Sequence, residues 1–288
     1  MYNIPILLSI HTRPETLKAQ LCILKKIKPK KIYTIIDPPL QREDNLKKTI
    51  YFNRSLDLLK KCNLNIIPLI TNNYNQGHFL TFFEGVKKLI LLGECFLTLE
   101  NDSLPSDSYF LFVENILKQF KSDNKFLCVS GCTYFKYKKE NNKFFFKSKF
   151  PYPLIAPAST PFHLEDSFFN IDKNINYILN NKNKFNLFLQ QRIDYLTTNF
   201  LNKNYNRVDL DTYLLLYSML KNKFSIFPYN NMVENCGFDT QSRNLNFNRH
   251  LDNNLIYLKS SDCLPTIESR KIFLKDQQII LKNYLSLK

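Results

Sequence analysis

The sequence predicts an α/β fold with a mainly parallel central sheet flanked by helices. Short apolar runs alternate with longer amphipathic segments through residues 4–99. This alternation is typical of parallel strands joined by helices that cover both faces of a sheet. The chain has 288 residues, of which 44% are hydrophobic, so it can bury a large core and is not disordered as a whole.

Four strands are predicted where β-branched and aromatic residues form short apolar runs. They are IPILLSI, IYTIID, LNIIPLI and CFLTL, at 4–10, 32–37, 64–70 and 95–99. Apolar residues at helical spacing predict the three connecting helices. These helices are expected at 14–27, 43–61 and 78–92.

A further helix and strand are predicted after the fourth strand. Apolar residues recur at helical spacing over 109–120, and Ser106 or Asp107 is placed to cap the start of this helix. The segment FLCVSG at 126–131 then has the composition of a strand.

The charged tract FKYKKENNKFFFKSKFPYP, at 135–153, interrupts the alternation of strands and helices. Its charge and lack of apolar periodicity predict a long loop or a hairpin. We therefore divide the chain near this tract, into residues 1–133 and residues 134–288.

The charge balance favours acidic partners. Lys and Arg number 40 against 25 Asp and Glu, which gives a formal net charge of +15. Anionic lipid, phosphorylated substrates and nucleic acid are all compatible with this charge. Since no RNP, KH or helix-turn-helix pattern is present, we expect no nucleic-acid partner.

The cysteines and the apolar runs favour a cytoplasmic protein. None of the seven cysteines forms a CxxC pair and several lie in apolar runs, so we expect buried free thiols in a reducing compartment. Residues 4–10 lack a basic leader, and the apolar runs are shorter than the roughly 18 residues that a membrane span needs.

Polar side chains follow four consecutive predicted strands. In an open parallel sheet, ligands bind outside the carboxyl ends of the strands. Each of these side chains could be a simple turn or cap residue, but their joint placement predicts a site. They are Ser9, His11 and Arg13 after the first strand, Asp37 after the second, Asn72, Asn73 and Asn75 after the third, and Glu100, Asn101 and Asp102 after the fourth.

A bound diphosphate would need a partner other than a glycine loop. The chain has five glycines and neither a GxxxxGK(S/T) nor a GxGxxG motif. Carboxylates can instead hold a divalent cation that neutralises phosphate oxygens, and Glu100 and Asp102 suit Mg²⁺ or Mn²⁺. The alternative is a solvated turn between a strand and a helix. No His or Cys spacing favours zinc, and His163 with Glu165 is a weak pair of ligands.

The segment TLENDSLPSDSYFLFVENILKQFKSDNKFLCVSG resembles the metal-site segment of GT-A glycosyltransferases related to the N-acetylglucosaminyltransferases of N-glycan synthesis and their bacterial homologues. In those enzymes an ILEDD motif precedes a turn, an amphipathic helix and a strand that ends in SG. The resemblance extends, in the right order, to IPILLSIHTRPETL, IYTIIDPP, NYNQGHFLTFFEGV and VDLDTYLLLYSMLKNKFSIFPYNNMVENCGFD. It implies a GT-A (Rossmann-like) fold, with a nucleotide-sugar-binding half at 1–133 and an acceptor-binding half at 134–288.

The resemblance also implies roles for individual residues on the donor side. Asp102 is the expected direct metal ligand, supported by Glu100, which is alternatively a ligand of the donor ribose. The remaining residues are expected to bind the nucleotide or to lie beside it. They are Arg13 and Asp37 at the base and ribose, Asn75 and Gly77 in an NxG turn, Asn101 in the metal motif, and Arg243, for which a surface position is the alternative.

The acceptor-activating base is expected just before the apolar helix of VDLDTYLLLYSML. Asp211 occupies the place of the family's acidic residue, and Asp209 is the nearby rival. A helix cap is the alternative for these carboxylates.

Two departures from the family pattern affect these expectations. The family's EDD is END here, so the middle carboxylate is missing, and the chain has no Trp, so the Trp-rich acceptor segment of many relatives is absent. The resemblance still implies an inverting, metal-dependent transfer from a nucleoside-diphosphate sugar to a glycan or lipid-linked glycan in bacterial surface polysaccharide or glycoconjugate synthesis. The Tyr, Phe and Lys mixture at 134–152 could place the enzyme at the inner face of an anionic membrane, and a plain solvated hairpin is the alternative.

Two other functions stay open at this point. A nucleotidyltransferase shares the sheet and the metal carboxylates, but it normally needs a Gly-rich basic loop after the first strand, which HTRPE does not provide. A non-catalytic sugar-nucleotide or membrane-binding module would also fit the altered motif.

Overall fold

A central sheet of eight strands organises the protein, as seen in a computed structural model. The structure describes residues 2–40, 46–132, 144–149, 154, 156–161, 163–164, 166–184, 187–205, 208 and 210–236.

The strands and helices follow one another in chain order with short connections. The strands are β1 (Ile6–Ile10), β2 (Ile32–Ile36), β3 (Ile66–Thr71), β4 (Phe96–Leu99), β5 (Ser103–Pro105), β6 (Phe126–Val129), β7 (Phe145–Ser148), β8 (Ala158–Ser159), β9 (Phe224–Pro228) and β10 (Val233–Asn235). The helices are α1 (Pro14–Ile27), α2 (Leu46–Lys61), α3 (His78–Leu91), α4 (Asp107–Gln119), α5 (Asp166–Phe169), α6 (Ile171–Asn180), α7 (Leu187–Leu201) and α8 (Leu210–Leu220).

The main sheet is largely parallel, as the sequence predicts. Its strand order is β3-β2-β1-β4-β8-β6-β9-β7, while β5 and β10 form a separate antiparallel pair. Strands β1, β2, β3 and β4 are mutually parallel, as are β6 and β9. Because β8 is antiparallel to both β4 and β6, these two strands also run in the same direction. Six carboxyl strand ends therefore lie at one edge of the sheet.

Helices cover both faces of this sheet, and each face has its own apolar core. On one face, Leu21 of α1 and Val113 of α4 belong to a single buried cluster. On the other face, Phe83 of α3 packs against Phe168 with ring centroids 5.0 Å apart and also contacts Tyr213 of α8. The predicted arrangement of helices on both faces is confirmed.

Element ends differ by a few residues from the predicted ones. Helix α2 is described from Leu46 instead of residue 43, because residues 41–45 lie outside the described part of the chain. Ser106 is the N-cap of α4, but its side chain makes no capping hydrogen bond and instead contacts Ser108 Oγ at 3.0 Å. The predicted position of the cap is confirmed, whereas its expected hydrogen bond is not formed.

The second half of the chain completes the sheet of the first half. Strand β7 lies in the charged tract at 135–153 and pairs antiparallel with β9, which in turn pairs with β6. The rest of that tract, apart from Phe144 and Lys149, lies outside the described residues. Strands from both sides of residue 133 thus share one hydrogen-bonded sheet.

Gly131 brings β10 close to the carboxyl edge of the sheet. A Cβ at this position would lie 2.1 Å from Val233 Cγ2, a separation that no side chain tolerates. The Gly131 carbonyl accepts hydrogen bonds from the backbone N–H groups of Met232 and Val233. Strand β10 can therefore pack against residue 131 only because this residue has no side chain.

The described cysteines are free, as predicted, but only three of these six are buried. Cys62, Cys128 and Cys132 are buried, whereas Cys95 and Cys236 are half-buried. The remaining described thiol is exposed on α1, at position 22. No helix in the described part of the chain is long and apolar enough to cross a membrane.

Candidate functional site

The acidic turn, defined here as Glu100, Asn101 and Asp102, connects β4 to β5 at the carboxyl edge of the sheet. Its backbone is hydrogen-bonded to the side chain of a buried residue, Gln20. The Gln20 amide donates hydrogen bonds of 2.7 Å to the carbonyl oxygens of Glu100 and Ser103, and the Ser103 hydroxyl donates to the Glu100 carbonyl at 3.0 Å. Three hydrogen bonds therefore fix the backbone of the turn that carries the two carboxylates.

Arg13 reaches the acidic turn from the end of β1. Its Nη1 atom lies 3.3 Å from Asn101 Oδ1 and 3.7 Å from Asp102 Oδ2. The side chain of Arg13 is 11% exposed and that of Asp102 is 30% exposed. The family resemblance implies that Arg13 holds the nucleotide base or ribose, and in this structure its guanidinium lies against the acidic turn.

His78 stands beside the other carboxylate. It is the first residue of α3, and its Nε2 atom lies 3.5 Å from Glu100 Oε1. The preceding residue, Gly77, has φ 88, a left-handed backbone that glycine adopts without a Cβ clash. Sequence analysis did not single out His78 as a site residue, although its position directly after the NxG turn was a usable signal.

The Asp102 carboxyl lies in an environment that disfavours its charged form. Burial and the neighbouring Glu100 carboxylate raise the pKa of Asp102 to about 6, and the nearby Arg13 and His78 side chains oppose this shift. Such a pair of carboxylates favours binding of a cation.

Asp37 is buried at the end of β2 and organises the loop between β3 and α3. Its Oδ1 atom accepts hydrogen bonds from Asn72 Nδ2 at 2.8 Å and from the Gln76 N–H at 2.9 Å. Its Oδ2 atom accepts from Asn75 Nδ2 at 3.0 Å and from the Gly77 N–H at 3.1 Å. Each oxygen therefore has two donors, which matches the acceptor capacity of a carboxylate.

This network links two residues that the sequence predicts in the donor site. Asn75 also donates to the Pro38 carbonyl at 2.6 Å, and its Oδ1 atom is buried without a hydrogen-bond partner among the described residues. Asp37 and Asn75 thus lie on the expected edge of the sheet and contact each other. A direct hydrogen bond from a nucleotide to Asp37 would have to replace one of its four present donors.

Asp211 lies at the same edge of the sheet, in the first turn of α8. Two residues further on, the ring of Tyr213 packs 5.8 Å from the ring of Phe79, which is in the first turn of α3. The amino ends of α3 and α8 are therefore neighbours. Asp211 is half-buried, whereas Asp209 and Arg243 lie outside the described residues.

Strand β10 and the residue after it line the acidic turn. Asn235 pairs with Ser103 in the β5–β10 ladder, and the Cys236 N–H donates to the Asp102 carbonyl. The segment VENC lies within the family resemblance but had no predicted function. Only the antiparallel pairing of two short, distant strands reveals this neighbour of the site.

His163 is part of the core. Its Nδ1 atom lies 2.7 Å from Thr160 Oγ1 and its Nε2 atom 3.0 Å from the Phe120 carbonyl. Burial lowers the pKa of His163 to about 4. Both ring nitrogens have protein partners, and Glu165 lies outside the described residues, so this pair gives no support for a metal site.

The donor atoms of the acidic turn suit a magnesium or manganese ion in part. No group of three or more His, Cys, Asp or Glu side chains suited to a metal occurs among the described residues. Mg²⁺, however, is commonly held by one or two carboxylates and completes its shell with water and substrate phosphates. Glu100 and Asp102 supply carboxylate oxygen atoms of the kind that this role needs.

Two comparisons with known proteins found no match, so a function has to be assigned from the geometry of the site and the sequence pattern. The chain matches no protein-family model, and a search of curated proteins finds no match.

Proposed function

We propose that this protein is a metal-dependent glycosyltransferase of the GT-A fold that moves a sugar from a nucleoside-diphosphate donor to a glycan acceptor. The observation that carries the proposal is the acidic turn at the carboxyl edge of a largely parallel sheet, with Arg13 and His78 beside it. Nucleotides bind at this edge in open α/β sheets. The family resemblance of the segments that form this edge supports the same conclusion.

On the donor side, Asp102 and Glu100 hold Mn²⁺ or Mg²⁺ in this proposal. A bound divalent cation neutralises phosphate oxygens and stabilises a diphosphate leaving group. Arg13, Asn101 and Asn75 bind or orient the nucleotide. Asp37 contributes by fixing the loop that carries Asn75, since its carboxylate is hydrogen-bonded to that loop. Arg243 is the remaining candidate for contact with the diphosphate.

On the acceptor side, Asp211 is the proposed general base. An inverting transfer is a single displacement in which a carboxylate takes the proton of the acceptor hydroxyl while the sugar leaves the diphosphate. A positioned base contributes roughly 10²- to 10⁴-fold to such a reaction. The support for Asp211 is its position in the first turn of α8, next to the first turn of α3. Asp209 is the rival for this role.

The acceptor is proposed to be a glycan or a lipid-linked glycan of bacterial surface polysaccharide or glycoconjugate synthesis, modified on the cytoplasmic side. Contact with an anionic membrane is supported by the net charge of +15 and by the exposed residues Phe144, Lys147 and Lys149 in or next to β7. We propose no nucleic-acid partner.

The proposal is tested by incubating the protein with a panel of nucleotide sugars, with Mn²⁺ and with EDTA, and measuring release of the nucleoside diphosphate. We expect hydrolysis or transfer of at least one donor with Mn²⁺, and loss of cation-dependent donor binding in Asp102→Ala. Equal donor affinity in Mn²⁺ and EDTA would contradict the metal site.

The same panel separates the alternatives. Formation of a nucleotide sugar and pyrophosphate from a nucleoside triphosphate and a sugar phosphate would indicate a nucleotidyltransferase. Binding of a nucleotide sugar without turnover, across glycan and lipid-linked acceptors, would indicate a binding module.

A further inference from the structure

The geometry points to Arg13 as a built-in competitor of the divalent cation at the acidic turn. Its guanidinium lies beside an oxygen atom of Asp102, the proposed metal ligand, so its positive charge opposes the cation while the side chain stays in place. This inference rests on the proposed function for its biological meaning, but it concerns the cation alone and is tested without a nucleotide.

Arg13 contacts one carboxylate oxygen of the proposed metal ligand Asp102 and the amide oxygen of its neighbour Asn101. One guanidinium nitrogen lies 3.3 Å from Asn101 Oδ1 and 3.7 Å from Asp102 Oδ2. Both oxygens belong to residues at the tip of the turn, and oxygen atoms are the preferred ligands of Mg²⁺ and Mn²⁺. The positive charge of Arg13 therefore partly neutralises the Asp102 carboxylate that would attract the cation.

Two opposing effects follow from this contact. Because like charges repel, a guanidinium within a few ångströms weakens binding of a divalent cation to Asp102. The Asp102 side chain is nevertheless 30% exposed, so the carboxylate is accessible to a hydrated ion. The turn is thus open to a cation sterically and opposed to it electrostatically while Arg13 stays in place.

Movement of the Arg13 side chain alone would relieve this repulsion. Its backbone carbonyl accepts a hydrogen bond from the Leu17 N–H at 3.1 Å, and Pro14 follows at the first position of α1. These contacts hold the main chain at the start of the helix. Rotation of the side chain about its own bonds can release Asn101 and Asp102 without a change in the fold.

Direct Mn²⁺ binding to the full chain, measured by calorimetry and by electron paramagnetic resonance of the free ion, tests this inference in the absence of nucleotide. We expect Arg13→Gln to lower the Kd for Mn²⁺ about tenfold, because it removes one positive charge beside the carboxylate. The amide of Gln keeps a hydrogen-bond donor for Asn101, which protects the fold. Arg13→Lys should return the Kd most of the way to the value of the parent protein.

Two further variants locate the effect. Arg54→Ala removes the same charge from an exposed ion pair with Glu15 between α1 and α2, and it should leave the Kd unchanged. Asp102→Ala introduced into Arg13→Gln should abolish the gained affinity.

An unchanged or higher Kd in Arg13→Gln, or no measurable Mn²⁺ binding in any variant, would overturn the inference. A gain of similar size in Arg54→Ala would also overturn it, since a general charge effect would then explain the result. If Arg13→Gln binds Mn²⁺ more tightly while no nucleotide sugar is bound or consumed by any variant, the competition is supported and the proposed glycosyltransferase function is not.

Discussion

Burial makes His163 a pH-sensitive part of the core. Its ring packs edge-on against Phe126 with centroids 4.7 Å apart, and both of its nitrogens have partners in the protein. The buried environment favours the neutral imidazole and lowers its pKa to about 4. In the unfolded chain the ring has the ordinary pKa of about 6.5.

We predict that His163 makes the protein less stable as the pH falls from about 6.5 to about 4. In this window the unfolded chain binds the proton and the folded chain does not, so acid favours unfolding. The stabilisation is fully present above the unfolded pKa, and its loss at the acid end is up to about 3 kcal/mol. Urea unfolding at a series of pH values measures this slope, which should be shallower in His163→Gln. Equal slopes in the two proteins would refute the prediction.

At the scale of single elements, the Asp37 network shows how a loop between a strand and a helix is fixed. Two side-chain amides and two backbone N–H groups from the β3–α3 loop meet one carboxylate at the end of β2. These bonds set the start of α3 and therefore the position of His78 beside Glu100.

We predict that Asp37→Asn destabilises the protein by about 2–3 kcal/mol, because the amide nitrogen of Asn would face two hydrogen-bond donors in a buried site. Chemical unfolding of this variant measures the loss, and Asp57→Asn, an exposed change on α2, is a matched control that should be nearly neutral. A raised donor KM with unchanged stability would instead support the direct nucleotide contact that the sequence resemblance implies.

Asp211 allows catalytic and structural roles to be separated on one helix. We predict that Asp211→Asn lowers the rate of transfer by roughly 10²- to 10⁴-fold, because the amide cannot accept the proton of the acceptor hydroxyl. Stability should change by at most about 1 kcal/mol, the usual contribution of a carboxylate in the first turn of a helix. Activity and thermal unfolding measured on the same preparation check both values.

An unchanged kcat in Asp211→Asn would exclude this residue as the base. A comparable loss of activity in Asp209→Asn, with Asp211→Asn still active, would move the role to Asp209.

At the scale of the whole molecule, positive charges outnumber negative charges. The net charge is +15, and the edge strand β7 carries Lys147, whose ammonium lies over the rings of Phe120 and Phe224 at 4.7 and 4.5 Å. Phe144, just before this strand, is strongly exposed. Exposed aromatic and basic residues of this kind suit the surface of an anionic membrane.

We predict that the protein sediments with anionic liposomes and that added salt releases it, since each lysine near such a surface contributes about 1 kcal/mol. Replacing Lys136, Lys138, Lys139, Lys147 and Lys149 by Gln should weaken the association. Replacing Lys60 and Lys61 at the end of α2 by Gln is the control for general loss of charge. Sedimentation that is indifferent to lipid charge would contradict membrane contact.

The sequence by itself determined the elements whose signals are local. Apolar runs and helical spacing predicted β1 to β4 and the helices between them to within a few residues, because periodicity directly reflects which side of an element is buried. The same order placed Asp37 and the acidic turn at one edge of the sheet, since parallel strands bring their carboxyl ends together. The predicted sheet with helices on both faces is confirmed in this way.

The tertiary structure alone decided what depends on distant partners. The pairing of β10 with β5, the addition of β7, β8 and β9 to the sheet, and the contacts of Arg13 and His78 with the acidic turn join residues far apart in the chain. Such contacts leave no periodic signal in the sequence, because they arise only when separate elements pack together. For the same reason, the sequence showed Asp37 as one polar residue after a strand, and only the packed loop provided the four donors that its carboxylate binds.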